Sequence, residues 1–314
     1  MLTSVPGFKL GHYTDRDALT GCTVILCPLK TRASCEVRGA SPGSRELELL
    51  APERKMQEVH ALLFTGGSAF GLSAADGVMR WLSEHNIGYE TPWVKVPIVP
   101  AAVVFDLNLG SSAVRPDATA GYEACKNAAS NSAKNSEEGN IGAGTGATVG
   151  KWKGMESRMK GGLGGASKTV GELIVGVVAV VNAVGDIIDE NGKILAGARS
   201  PDGTFFGTSD PYRAFARGKV LENTNTTLVA AATNADFTKV ELHRIAQRMH
   251  DGMARAIMPS HTSYDGDATF ALSCGTVKAD LDLVAEIAAS LTAEAIRRAV
   301  RAATNAGGAT GLAG

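Results

Sequence analysis

The chain has 314 residues, of which 44% are apolar and 20% are charged. That content is sufficient for a large packed core, and no apolar run approaches the roughly 18–20 residues of a membrane span, so a disordered chain and a membrane protein are both excluded. Because 31 basic residues balance 32 acidic ones, a large nucleic-acid interface is also disfavoured, and we expect neither nucleic-acid nor membrane partners.

The predicted elements begin with short apolar segments typical of strands, at Cys22–Cys27 and Ala61–Phe64. A helix is expected after the Gly66-Gly67-Ser68 turn, because apolar residues then recur at spacings of three and four up to Gly88. Those residues are Leu72, Ala75, Met79 and Leu82. A third strand, with a proline inside it, is predicted at Val99–Leu107.

The middle of the chain contains a polar segment followed by a strongly apolar one. Residues Lys126–Gly139 are small and polar without periodicity, which predicts a surface loop. The run Leu173–Val181 is so continuously apolar that it should be a strand covered on both faces, as in a layered sandwich of helices and sheets.

The last third of the chain predicts two strands and two helices. Asn223–Thr233 is interpreted as a polar turn leading into a strand at Thr227–Ala232, and another strand is expected at Thr269–Ser273. A capping box formed by Thr238 and Glu241 should open a helix, and a second helix should cover Asp280–Ala303, with Gly307-Gly308 beyond its end. The apolar stripes are expected to be Leu242, Ile245, Met249 and Met253 in one helix and Leu283, Ile287, Leu291 and Ala295 in the other.

The five cysteines and the N-terminus bear on the cellular compartment. An odd number of cysteines without a Cys-x-x-Cys pair favours free thiols over disulfides or a zinc site. Residues 1–7 have neither a basic segment nor an apolar core typical of a signal peptide. We therefore expect a cytoplasmic protein.

A glycine-rich segment, Gly142–Lys151, could suggest nucleotide binding. A phosphate-binding loop needs a glycine where Thr145 stands and a serine or threonine where Trp152 stands, so that interpretation is disfavoured and no cofactor is expected. Two alternatives stay open: a pocket wall lined by backbone N–H groups, with Lys151 as its charged group, or a plain turn.

Asp265 and Asp267 lie two residues apart at the entrance to a predicted strand, a spacing that directs both side chains to one side. No second acidic or histidine cluster has ligand spacing, since His243 and His250 are seven residues apart, so no metal site is expected. The residues alone favour a solvated turn. A pair of carboxylates orienting groups in an active site is the second interpretation.

Six segments, in order along the chain, resemble one family of enzymes. They are Phe64–Leu72, Val103–Leu107, Gly142–Lys151, Val180–Gly185, Asn225–Asn234 and Met258–Phe270. Together they are similar to the self-processing N-terminal-nucleophile hydrolases of the DmpA/β-peptidyl aminopeptidase family, nearest the nylon-oligomer (6-aminohexanoate oligomer) endo-hydrolases.

The resemblance implies an α+β fold, a four-layer α/β/β/α sandwich with an Ntn-hydrolase-like layout and different connectivity. It also implies one hydrolase domain over residues 1–314 that cuts itself into residues 1–225 and 226–314. The two fragments should stay associated, and the expected assembly is a homo-oligomer, a tetramer of such heterodimers.

The resemblance further implies the site residues. Cleavage between Asn225 and Thr226 would release Thr226 as the nucleophile. The other implied catalytic residues are Lys151, Asn182, which polarises the reacting carbonyl, Asp265 and Asp267; the implied substrate pocket contains Phe105, Gly144 and Thr145. Phe105 stands where the nylon-oligomer hydrolases have a tyrosine, so one hydroxyl contact is missing.

The implied chemistry agrees with the general properties of these groups. A threonine hydroxyl needs an adjacent base, and its own free α-amine, with a reference pKa of roughly 7.7–8, supplies one. The expected activity is hydrolysis of 6-aminohexanoate oligomers or short peptides through an acyl-enzyme. Three alternatives stay open: an aminopeptidase or amidase/esterase on small amides, an acyltransferase sharing the fold, and an unprocessed binding homologue.

Overall fold

A computed structural model describes residues 1–130, 136–208 and 225–314. Residues 131–135 of the predicted surface loop, and the first two residues of the predicted turn at Asn223–Thr233, lie outside the described ranges. In the described part, two five-stranded sheets lie face to face, and a pair of helices covers the outer face of each.

The strands are short at the periphery and long in the second sheet. In chain order they are β1 (Lys9–Asp15), β2 (Thr20–Leu26), β3 (Arg32–Val37), β4 (Ser44–Arg45), β5 (Ala61–Thr65), β6 (Tyr89–Glu90), β7 (Lys95–Val96), β8 (Ala101–Val103), β9 (Thr148–Val149), β10 (Met159–Lys160), β11 (Gly162–Val170), β12 (Leu173–Asn182), β13 (Asp186–Ile188), β14 (Ile194–Ala196), β15 (Thr226–Ala235), β16 (Ile257–Met258) and β17 (Ala268–Val277).

The α-helices of the described residues are α1 (Ala74–Glu84), α2 (Ala118–Ala129), α3 (Lys239–Ala254) and α4 (Leu281–Arg301). Short 3₁₀ turns occur at Leu2–Ser4, Glu48–Leu50, Ser68–Ser73, Gly142–Gly144, Met155–Ser157 and Phe206–Thr208. The capping box that opens α3 is formed as predicted, since the Thr238 hydroxyl accepts the Glu241 N–H and the Glu241 carboxylate accepts the Thr238 N–H.

The strand order is β1-β2-β5-β8-β4 in the first sheet and β11-β12-β15-β17-β3 in the second. Most neighbours are antiparallel, but β15 pairs with β17 in parallel. A parallel connection needs a crossover, and α3 provides it. As a result the first residues of β15 and the residues just before β17 lie at the same edge of the second sheet.

Alternation along the strands divides the apolar side chains among three cores. In β2, Val24 packs against α1 and α2, whereas Ile25 faces the other sheet. In β12, Val177 packs under α3 and α4, whereas Val178 faces the first sheet. The apolar run of β12 is therefore covered on both faces, and the layers follow the predicted order α/β/β/α.

Three predictions on local structure are corrected. The strand expected over Val99–Leu107 is limited to Ala101–Val103, because Pro100 has no N–H for a ladder hydrogen bond. Residues 126–129 of the predicted loop form the last turn of α2. Leu283 is 45% exposed, since the first turn of α4 directs Val284 to the core instead.

The helix α2 was not predicted because its buried face is made of small residues. Gly121 packs so closely on α1 that an added Cβ would lie 1.9 Å from the carbonyl oxygen of Ala74. Such a contact depends on glycine at the helix crossing and leaves little apolar periodicity in the sequence.

Candidate active site

The proposed nucleophile is the first residue of β15. Thr226 is 5% exposed and is paired in register with Asn182, the last residue of β12. Its hydroxyl donates to the carbonyl oxygen of Asn225, and the backbone N–H of Gly266 donates to the same oxygen at 2.9 Å. The carbonyl of the predicted cleavage bond thus has two donors directed at it.

The structure brings Asp265 and Asp267 to this edge of the sheet. Each is only 1% exposed, so the solvated turn favoured by the residues alone is wrong. The composition of the segment is typical of a surface turn, but the loop before β17 lies beneath neighbouring backbone instead. The second interpretation, a pair of orienting carboxylates, fits their burial.

Each carboxylate is bound by fixed donors. Asp265 accepts the backbone N–H groups of Val184 at 3.2 Å and Thr262 at 3.1 Å. Asp267 accepts the backbone N–H of Thr227, the residue after the proposed nucleophile, at 2.7 Å. Burial, and next the charge of Asp267, raise the pKa of Asp265 above its ordinary value. Asp265 therefore becomes protonated at a higher pH than a surface aspartate does.

Gly266 separates the two carboxylates and lies against the nucleophile. An added Cβ on Gly266 would be 2.8 Å from Thr226 Oγ1 and 2.6 Å from the carbonyl oxygen of Ser41. A side chain at this position would displace the hydroxyl, so the close approach of backbone and nucleophile requires glycine.

Lys151 lies at the end of the glycine-rich segment and is completely buried. Its Nζ donates to Oδ1 of Asn182 at 2.8 Å and to the backbone carbonyl of Asn182 at 3.1 Å. Burial lowers the pKa of Lys151 to about 7, although the charge of Asp265 acts in the opposite direction. A lysine with that pKa can accept or donate a proton near neutral pH.

Asn182 links the lysine to the loop that carries Phe105. Its Oδ1 also accepts the Thr148 N–H at 3.0 Å, and its Nδ2 donates to the carbonyl oxygen of Phe105 at 3.1 Å. These bonds fix the orientation of the side-chain amide. Polarisation of a substrate carbonyl by Asn182 stays a prediction.

The predicted pocket residues differ in their contacts. Phe105 meets Asn182 through its backbone carbonyl, and its side chain is half-buried. The Thr145 hydroxyl donates to the Gly142 carbonyl at 2.6 Å, and a Cβ on Gly144 would lie 2.3 Å from the backbone nitrogen of Leu163. The glycine-rich segment is therefore a tightly packed wall, and its lining of a substrate pocket stays a prediction.

Sequence reasoning missed Lys160, a second buried lysine behind the wall. It is 1% exposed, and its Nζ donates to the carbonyl oxygens of Thr145 at 2.9 Å and Ala147 at 2.6 Å. Burial lowers its pKa to about 7, and its charge contributes to the low pKa of Lys151. The only signal in the sequence was a lone lysine before a run of glycines.

Asp106 was also missed, although it lies next to Phe105. Its carboxylate is 3% exposed and accepts the Thr20 hydroxyl and the Gly67 N–H, each at 2.7 Å. Burial raises the pKa of Asp106, and the charge of Lys160 acts against that rise. Through the Gly67 N–H, Asp106 holds the Gly66-Gly67 turn next to the loop that carries Phe105.

Among the described residues, no three His, Cys, Asp or Glu side chains are grouped so as to hold a metal ion. In the same part of the chain, no helix is long and apolar enough to cross a membrane. All five cysteines are free thiols, and burial raises the pKa of Cys22 to about 12.

Several known proteins are similar to this chain in sequence. The model of peptidase family S58 matches residues 1–313. An uncharacterized aminopeptidase of Mycobacterium leprae is 39% identical over 290 residues, which is 88% of this chain and 79% of that protein. A 6-aminohexanoate-oligomer endohydrolase of an Agromyces species is 31% identical over 278 residues, 85% of this chain and 73% of that protein.

A solved structure has the same fold. The L-aminopeptidase D-Ala-esterase/amidase of Ochrobactrum anthropi, a variant of the Ntn-hydrolase fold, superposes with a TM-score of 0.71 at 20% identity. The match covers 96% of this chain and 86% of that one. At this identity the likeness shows the fold, which is the one predicted.

Proposed function

The chain belongs to peptidase family S58 and is a hydrolase acting on amide bonds, and we propose that it processes itself and uses Thr226 as an N-terminal nucleophile. The observation that carries the proposal is the contact at the predicted cleavage bond. The Thr226 hydroxyl and the Gly266 N–H both donate to the Asn225 carbonyl oxygen.

This arrangement supports an N-to-O acyl shift. Attack of the Thr226 oxygen on the Asn225 carbonyl carbon forms a C–O bond and places negative charge on the carbonyl oxygen, where the Gly266 N–H stabilises it. Collapse breaks the C–N bond, and the hydroxyl proton passes to the leaving nitrogen. Water then hydrolyses the ester, which leaves a carboxylate on Asn225 and a free amine and hydroxyl on Thr226.

The same residues support hydrolysis of a substrate amide. The new amine accepts the proton of the Thr226 hydroxyl, and the hydroxyl oxygen attacks the substrate carbonyl carbon. The substrate C–N bond then breaks, the proton passes from the Thr226 amine to the leaving amine, and an acyl-enzyme remains. Water hydrolyses this ester, which releases the acid and restores Thr226. Lys151, when charged, disfavours protonation of that amine, while Asp265 and Asp267 hold the amine and hydroxyl in place and offset the charge of the lysine. Asn182 is proposed as an oxyanion donor, a role worth about 2.7–4 kcal/mol in comparable sites.

Cleavage would leave one sheet shared between two fragments. In the second sheet, β15 and β17 come from residues 226–314, and they lie between β12 and β3, which come from residues 1–225. Hydrogen bonds on both sides therefore hold the fragments together after the bond breaks.

For the substrate, we propose internal amides with flexible aliphatic flanks, such as 6-aminohexanoate oligomers, together with short peptides. The relative from the Agromyces species, a 6-aminohexanoate-oligomer endohydrolase, supports this class. The aminopeptidase of Mycobacterium leprae is the more similar relative and supports the second candidate, removal of N-terminal residues.

An exposed apolar surface supports the proposed assembly. The turn between β6 and β7 exposes 89% of Trp93 and 57% of Val94, an apolar surface that supports self-association, for which we propose the tetramer of heterodimers. A light-scattering mass near the 32.5 kDa of one chain would refute the tetramer.

For the location, we propose the cytoplasm, which the five free thiols support.

Intact mass spectrometry of purified protein tests the self-cleavage. The wild-type chain should separate into residues 1–225 and 226–314 under denaturing conditions and stay associated under native ones. Thr226→Ala should remain a single chain because it has no hydroxyl, whereas Thr226→Ser or Thr226→Cys should still cleave. Cleavage of Thr226→Ala at the same bond would refute the proposal.

A further inference from the structure

We propose that His261 is a positioning residue, which holds the carboxylate of Asp267 and, through it, the backbone beside the nucleophile. The inference rests on the proposed role of Thr226 and deepens it. His261 lies six residues before Asp267, in the loop that leads to β17. It stands within the segment Met258–Phe270 that carries the family resemblance, which implied no role for it.

The contacts form a short chain from His261 to the nucleophile strand. One oxygen of Asp267, Oδ2, accepts two donors from His261: Nδ1 of the ring at 2.8 Å and the backbone N–H at 3.1 Å. The other oxygen, Oδ1, accepts the backbone N–H of Thr227 at 2.7 Å. A single buried carboxylate therefore connects His261 to the residue that follows Thr226.

The backbone of His261 is adapted to this contact. Its φ is +56°, in the left-handed region that residues with a Cβ rarely adopt. In this conformation the ring nitrogen and the backbone nitrogen reach the same oxygen of Asp267. A disfavoured conformation that places two donors on one carboxylate, next to a proposed nucleophile, is typical of a functional position.

The surroundings of the ring leave it one polar partner. His261 Nε2 is buried and has no hydrogen-bond partner among the described residues. The ring of His250 packs edge-on against it with centroids 4.6 Å apart. His250 is occupied elsewhere, because its Nε2 lies 3.1 Å from the Glu36 carbonyl oxygen, and burial lowers its pKa to about 4, so it stays neutral near pH 7.

The chemical consequence concerns orientation. Asp267 is bound on both oxygens by three donors, and the His261 ring makes the shorter of the two contacts to Oδ2. Without the ring, two backbone donors alone would hold the carboxylate, which would then fix the Thr227 N–H less tightly. That N–H belongs to the peptide that follows the nucleophile, so its position helps to set the direction of the Thr226 amine and hydroxyl. Loss of the His261 contact should slow the chemical steps more than it weakens substrate binding.

Four variants test the role. His261→Ala removes the ring donor, whereas His261→Asn keeps an N–H close to the position of Nδ1 and tolerates a positive φ. His261→Asp has the same shape as His261→Asn without the donor. His250→Phe is the control, because it keeps a ring against His261 and leaves Asp267 untouched.

The measurements are the rate of self-cleavage, kcat and KM of the cleaved protein, and thermal stability. We expect His261→Ala and His261→Asp to lower the cleavage rate and kcat by about tenfold or more with little change in KM, and His261→Asn to recover most of the loss. His250→Phe should change stability while the kcat of the cleaved protein stays near the wild-type value.

The outcomes separate this inference from the proposed nucleophile. If the wild-type protein never cleaves, both proposals fail. If it cleaves and His261→Ala has wild-type rates, only the role of His261 is refuted. Should His261→Ala not fold, the comparison of His261→Asn with His261→Asp decides, and equal rates in that pair would overturn the inference.

Discussion

Thr226 and Asn182 lie directly opposite each other in the antiparallel pairing of β15 and β12. Lys151 donates to both oxygens of Asn182, so the register of the second sheet sets the position of the proposed nucleophile relative to the buried lysine. The site is thus organised by strand pairing, and its charged groups are oriented by backbone N–H groups, the amide of Asn182, the Thr262 hydroxyl and the ring of His261.

Lys151 and Asp267 should both be needed for turnover. Lys151→Met removes the buried charge without leaving a cavity, and Asp267→Asn keeps the shape but offers an amide N–H to donors that need an acceptor. We expect each to lower kcat by about 10²–10⁴-fold, with a native circular-dichroism spectrum. Near wild-type rates in both variants would show that these groups take no part in the chemistry.

Gly266→Ala should block self-cleavage, because the added methyl group lies within 2.8 Å of Thr226 Oγ1. The control is Gly165→Ala in β11, where the new methyl group would lie 2.6 Å from Cγ of the Met1 side chain and 3.0 Å from the Val177 carbonyl oxygen. Time-resolved gel analysis after refolding should show an uncleaved chain for the first variant and normal cleavage for the second. Equal cleavage rates would contradict the close approach of Gly266 to the nucleophile.

The two buried lysines predict that stability increases with pH. Burial holds the pKa of Lys151 and Lys160 at about 7, against 10.5 in an unfolded chain. Between these values the unfolded state binds more protons, so the free energy of unfolding rises with pH. Above roughly pH 9 the buried thiols act in the opposite direction, because burial raises their pKa and only the unfolded chain ionises.

Denaturant unfolding of the uncleaved Thr226→Ala chain between roughly pH 7.5 and 9 checks this prediction. Adding Lys160→Met should remove about 1.4 kcal/mol per pH unit from the slope of the unfolding free energy. Lys168→Met, at an exposed position, is the control and should leave the slope unchanged. Identical slopes with and without Lys160 would show that burial does not lower the pKa of this lysine.

Substrate specificity can be tested at the amine end of the substrate. A 6-aminohexanoate trimer or longer oligomer and its N-acylated form should both release amine if the enzyme cuts internal amides. Because Phe105 has no hydroxyl, the nylon-type amide should be cleaved slowly, and Phe105→Tyr should increase the rate. If acylation abolishes hydrolysis while aminoacyl anilides are cleaved well, the enzyme is an aminopeptidase.

Local patterns in the sequence were sufficient where the interaction is local. The capping box of Thr238 and Glu241 lies within one helical turn, and the apolar run of β12 is continuous, so both were predicted correctly. β11 was not predicted because glycines within it are required by contacts with the helix α4. Gly164 would place a Cβ 2.3 Å from the Ala295 carbonyl of α4, and a glycine chosen for that contact carries no strand signal.

For the site as well, local spacing was informative and contacts between distant residues were not predicted. The spacing of Asp265 and Asp267 indicated that both side chains point to one side, but the backbone N–H groups that bind them belong to Val184 and Thr227, which are distant in the sequence. Lys160 stands in no motif, and His261 stands in Met258–Phe270 without an implied role. Their partners are backbone carbonyls and a carboxylate that only the fold brings close. Spacing and composition therefore could not predict the residues that orient the site residues.

The central claim is that Thr226 becomes an N-terminus and carries the acyl group. The direct measurement is mass spectrometry of the protein quenched with acid during turnover of an aminoacyl anilide or amide substrate, followed by peptide mapping. We predict a fragment beginning at Thr226 that gains the mass of the acyl group on that residue. A full-length chain that turns over substrate, or an acyl group on any other residue, would contradict the account.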